Sequence, residues 1–154
     1  MTFYILALLI GIVAGLRNMT AAAAVSWAAY LGWLPLQGTS LAFLGAPITP
    51  YIFTVLAIAE LFADQWSKTP SRKAPPSFAI RLVVGAISGA AIGTAGGALV
   101  AGLVLGVIGA IIGTLGGYAA RLRLANALGR DLPAALIEDV IAVVGAVLIV
   151  GAAK

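Results

Sequence analysis

"LVVGAISGAAIGTAGGALVAGLVLGVIGAIIGTLGGYAA", residues 82–120, contains no charged side chain. As one helix this run would be about 58 Å long. A bilayer core is about 30 Å thick. The run therefore fits two crossings. Its natural reversal is "GTAGG", residues 93–97, where adjacent glycines permit a tight turn. A hairpin returns to the side it left, so the segments flanking the run share one face. Those segments, "SKTPSRKAPPSFAIR" and "RLRLANALGRD", hold seven of the nine basic residues. The positive-inside rule makes that face cytoplasmic.

The rest of the composition agrees with a lipid environment. The chain has 154 residues, 62% of them hydrophobic and 9% charged. Soluble domains carry about 25% charged residues. The net charge of +4 sits in short connections between apolar runs, which fits membrane topology rather than nucleic acid. There is no Cys and no His. That excludes disulfides, thiolate or imidazole metal sites, a His general base and a Ser-His-Asp triad. The glycine clusters lack the Lys-Ser/Thr of a phosphate-binding loop. No cofactor, no metal and no enzymatic activity is expected. The N-terminal "MTFYILALLIGIVAG" has no positive leader and reads as a retained membrane segment, not a signal peptide.

The expected fold is all-α: one polytopic transmembrane helix bundle over residues 1–154, with five or six apolar segments, some broken or re-entrant. The basic loop is placed at about 67–80, the Gly-rich hairpin at 82–120 and the last span at about 132–152. Pro70, Pro75 and Pro76 read as a non-helical connection. Asp131 reads as the N-cap of the last span, with Pro133 in its first turn. Residues 3–35 have two readings. One is a single long kinked helix. The other is two spans, about 3–16 and 19–35, with Arg17 at a cytoplasmic turn. Short self-similarities, such as "GIVAGLR" with "GTLGGYAAR", suggest an internal repeat of the kind transporters carry.

Gly85, Gly89 and Gly93 recur every fourth residue, as do Gly109, Gly113 and Gly117. Such stripes let helix backbones approach closely in lipid, within the chain or between copies in a homo-oligomer. The polar groups out of place are the candidate site. Glu60 and Asp64 share a helix face. Glu138 and Asp139 lie about two turns into the last span. Ionisable groups inside a membrane are costly and are expected to pair. The expected cluster is Arg17, Glu60 and Glu138, with Asn18, Thr20, Asp64 and Asp139 around it. Lys68, Arg72 and Lys73 are candidates for contact with anionic lipid headgroups.

Gly15-Leu16-Arg17 after the first helix, Thr69-Pro70-x-Arg72 before a Gly-rich hairpin, and Glu138-Asp139 in the last helix together resemble a bacterial family of small integral membrane proteins of unknown function. Relatives of that family have a proline shortly after the arginine, where this chain has Ala21 to Ala24. The resemblance implies a bacterial inner-membrane location and no particular activity. The expected function is a small transporter or channel-like protein for an unidentified solute or ion, with the Arg/Glu cluster as its site. The alternative is a non-transporting scaffold whose buried charges only clamp helices.

Overall fold

The computed structural model describes residues 1–63 and 75–154. Six α-helices follow in order: α1 (Thr2–Leu16), α2 (Asn18–Tyr30), α3 (Thr49–Ala63), α4 (Pro75–Ala95), α5 (Leu99–Leu128) and α6 (Asp131–Ala152). A short 3-10 turn, Ala42–Gly45, lies in the connection between α2 and α3. The fold is an all-α bundle, and there is no strand among the described residues.

Contacts between helices set their directions. Phe3 packs on Gly96 at the α4–α5 turn, and Gly15 lies against Gly113 and Thr114, so α1 runs parallel to α5. Trp27 bonds Thr54, and the α2 N-terminus bonds Glu60, so α3 runs antiparallel to α2. Arg17 meets Asp139, and Lys154 lies 5.0 Å from the Trp33 ring centroid, so α2 runs parallel to α6. The six helices therefore alternate in direction. Phe3, Trp33, Gly97 and Lys154 mark one end of the bundle, and the other end carries Arg121 and Asp131. The two-helix reading of residues 3–35 holds, with α1 and α2 antiparallel and Arg17 between them, but the second helix stops at Tyr30.

Three helices, α4, α5 and α6, are long and apolar enough to cross a membrane, while α1 and α3 are shorter apolar helices. Their outward faces carry exposed Val104, Ile108, Ile111, Val140, Val144 and Leu148. Apolar surface on that scale is the make-up of a membrane protein.

The glycine stripes, Gly117 apart, pack against neighbouring helices of the same chain. A Cβ on Gly89 would meet the backbone of Gly102 and Gly106, and one on Gly93 would meet Ala98 and Gly102. Gly85 faces Gly106, so α4 and α5 pack backbone to backbone. Gly109 and Gly113 take α1 in the same way, against Leu8 and Ile12. Gly11 and Gly15 supply the matching small face of α1. Close approach of this kind replaces the missing hydrophobic drive between helices in lipid.

Two readings of the sequence need correction. Pro75 and Pro76 are not a break; they are the first two residues of α4. Proline is tolerated there because its absent N–H would have no helical partner. Asp131 is not the N-cap of α6. Arg130 holds that position, with no side-chain cap bond, and Asp131 is the first helical residue. Its carboxylate turns instead to Arg121.

α1 and α2 are short. Their 15 and 13 residues give lengths of about 22 Å and 20 Å. On the far side of the turn the neighbouring helices continue. Arg81 lies six residues into α4 and Asp139 eight residues into α6, or about 9 Å and 12 Å. The Arg17 turn is thus recessed within the bundle, and the arginine is fully buried.

Candidate functional site

One residue separates α1 from α2. Arg17 adopts an extended conformation, with φ −143° and ψ 97°. Its own backbone stays paired, since its N–H reaches Val13 at 2.6 Å and its carbonyl accepts from Ala21 at 3.3 Å. Breaking a helix exposes carbonyls at one end and N–H groups at the other. At a buried turn no water is on hand to take them, so side chains must.

Arg81 of α4 serves the C-terminal end of α1. Its Nη1 donates to the carbonyl of Gly15 at 2.7 Å and to that of Leu16 at 3.1 Å. Arg17 Nη1 adds a bond to the Leu16 carbonyl at 3.2 Å, and Thr114 Oγ1 approaches Gly15 at 3.4 Å. Glu60 of α3 serves the N-terminal end of α2. Its two carboxylate oxygens accept from the N–H groups of Asn18 at 3.2 Å and Met19 at 3.0 Å. Each charge sits at the helix end whose dipole favours it: a cation by the carbonyls, an anion by the N–H groups. Arg81 and Glu60 then face one another at 4.0 Å.

A second set of charges lies on the α6 side. Arg17 Nε donates to Asp139 Oδ1 at 2.7 Å, and Nη2 pairs with the same oxygen. Glu138 Oε2 lies 4.0 Å from Arg17 Nη2 and 3.5 Å from Arg121 Nη1. Arg121 also holds Asp131 in a two-pronged contact, at 3.1 Å and 2.7 Å. The line Asp131, Arg121, Glu138, Arg17, Asp139 therefore runs from the surface to the buried turn. Among the described residues, Arg17, Arg81 and Arg121 stand against Glu60, Glu138 and Asp139.

The structure brings Arg17, Asn18, Glu60, Glu138 and Asp139 to this one turn. The partner of Arg17 is Asp139 rather than Glu60 or Glu138 in the first instance. Glu60 uses backbone N–H groups and Arg81. Thr20 is buried, and its hydroxyl has no hydrogen-bond partner among the described residues. Asp64, Lys68, Arg72 and Lys73 lie outside the described residues. Arg81, Arg121 and Thr114 were not among the expected site residues. Arg81 and Arg121 bracket the charge-free run and read there as topology markers. Nothing in the local sequence distinguishes Thr114 from a spacer between glycines.

A groove of about 340 Å³ adjoins this line of charges. Ile12 and Leu16 of α1 form its base, with Ile112 and Leu124 of α5 and Ile137 and Ile141 of α6 as walls. Gly113, Gly116 and Gly117 keep the α5 side flat. Arg121 and Glu138 are its only charged lining residues among those described. Fold and site together define a multi-helix membrane bundle with a recessed, charge-capped hairpin. Comparison with family models, with curated proteins and with solved structures finds no match for the chain.

Proposed function

We propose that the protein is a small membrane transporter or channel-like protein. Its solute or ion site is the polar cluster at the α1–α2 turn. One observation carries this reading: Glu138 lines the α5–α6 groove and also pairs with Arg17 at the turn. Many carriers hold solutes and ions inside the bilayer at the ends of broken helices, on their N–H groups and carbonyls. Breaking or remaking the contacts of Glu138 would couple the groove to the turn. The location belonging to this reading is a bacterial inner membrane, with residues 67–80 cytoplasmic and the C-terminus outside. Positive-inside charge bias and the resemblance at Gly15-Leu16-Arg17 and Glu138-Asp139 support it.

A second reading is favoured by a specific observation. Arg81 already meets the Gly15 and Leu16 carbonyls and Glu60 the Asn18 and Met19 N–H groups, which is what a purely structural clamp requires. A scaffold built this way would carry no solute. The test is reconstitution into dye-loaded liposomes, with flux assays for protons, potassium and small carboxylates. The native protein is expected to exceed empty vesicles for at least one of these. Glu138→Gln, which keeps the shape and removes the charge, is expected to lower that flux at least fivefold. No flux above empty vesicles from a folded native protein would overturn transport and leave the clamp.

A further inference from the structure

The geometry points to a binding site for an anionic phospholipid in the α5–α6 groove, with its phosphate on Arg121 and one tail along the glycine-lined side of α5. This inference rests on the membrane-embedded fold and not on transport.

Three observations lead to it. The groove opens outward, because its wall residues Ile112, Ile137 and Ile141 are 48%, 42% and 58% exposed. Whatever fills it enters from the side, which in a bilayer means from the lipid. The lining from Ile112 to Leu124 runs about 18 Å along α5, close to the depth of one leaflet in a core about 30 Å thick. The α5 side has room for an occupant: a Cβ on Gly116 would meet nothing within 4 Å.

The charged end selects the headgroup. Arg121 presents its Nε and Nη2 as a fork to Asp131, whose side chain is 64% exposed. A guanidinium fork fits a carboxylate or a phosphate in the same two-pronged way. Asp131 is the exposed end of this pair, 64% against 13% for Arg121, so a phosphate arriving from the groove's open side can take the place of its carboxylate on the fork. Arg123 lies near the end of α5 and Arg130 just before α6, so residues 121–131 carry three arginines and one acid. Basic clusters at a helix end beside the bilayer attract anionic headgroups. Glu138, still paired with Arg121 from the inner side, keeps the phosphate at the groove's mouth and out of the buried turn.

The test uses the full chain in nanodiscs of phosphatidylcholine. Trace phosphatidylglycerol carries a photoactivatable group on one tail, and a phosphatidylcholine probe with the same tail serves as the parallel arm. Labelled peptides are mapped by mass spectrometry. Groove residues of α5 and α6 are expected to take the anionic probe at least fivefold over the zwitterionic one. Unlabelled phosphatidylglycerol competes, and glycerol phosphate in the water does not. Arg121→Gln brings the preference to about one, and Arg121→Lys leaves a reduced preference. Gly116→Leu fills the α5 side and abolishes groove labelling with the thermal melt retained. Equal labelling by both probes overturns the proposal, as does labelling that survives Gly116→Leu. Competition by glycerol phosphate, or cross-links joining two copies through the groove, would also overturn it. None of these readouts involves flux, so a failed transport assay leaves the lipid site standing and the reverse holds too.

Discussion

The two reversals at the ends of α1 and α4 solve one problem by opposite means. Between α4 and α5 the chain turns at the end of the bundle, through Gly96 and Gly97, without a charged residue. Gly97 takes φ 75°, a left-handed conformation that glycine adopts at no steric cost. The helix ends there are near the outside and ask little of the rest of the protein. Between α1 and α2 the chain turns inside the bundle with Arg17 in an extended conformation that any residue adopts. Conformation is cheap at this turn, and what costs is the exposed backbone. Arg81 and Glu60 come from two other helices to cover it. Depth, not turn geometry, decides which reversal needs charges.

That contrast breaks most sharply at Arg17. Arg17→Leu leaves Asp139 buried without its main partner. Removing one member of a buried pair costs about 3–5 kcal/mol. The expected result is a large drop in the thermal midpoint of detergent-solubilised protein, followed by tryptophan fluorescence. Arg17→Leu combined with Asp139→Leu is expected to recover much of the loss, because an apolar pair replaces a charged one. A double variant no better than the single one would show that Arg17 acts mainly through the Leu16 carbonyl.

Next in size is the packing that both hairpins share. Gly106→Ala drives a Cβ into the backbone of Gly85 and Gly89. Overpacking of this kind costs about 1–3 kcal/mol, and rigid backbone on the other side puts it at the upper end. The expected outcome is a lower melting midpoint and, in a denaturant titration, a lower midpoint at similar slope. Gly116→Ala on the same helix meets open space and is expected to be neutral or slightly stabilising.

The smallest effect is at the outer turn. Gly97→Ala forces a side chain into the left-handed region, a strain of about 1–2 kcal/mol. A cost at Gly97 equal to that at Arg17, measured by the same melt, would erase the distinction between the two turns.

Much of this contrast could be read from the sequence. The charge-free run and its central glycines pointed to a two-helix hairpin, and the glycine periodicity marked the faces that α4 and α5 press together. Arg17 stood out as a charge in an apolar stretch. The capping roles of Arg81 and Glu60 could not be read, because they depend on four helices meeting at one level. Arg81 is 66 residues from the Gly15 carbonyl it serves, and local pattern carries no trace of such a contact. The choice of Asp139 over Glu138 was hidden for a related reason. Neighbours on a helix point about 100° apart, so only the rotation of α6 about its axis decides which acid meets Arg17. The first turn of α4 was misplaced because two prolines look alike whether they end a loop or open a helix.

The span between Arg17 and Asp139 is 122 residues, and it bears on how the protein is made. Synthesis delivers residues at about 5–20 per second. The first hairpin therefore waits about 6–24 s for the acid that neutralises its arginine. During that interval its turn also lacks Glu60 and then Arg81. Asp139 reaches the turn only once α6 has been made. α6 thus closes a contact that the α1–α2 turn opens 122 residues earlier.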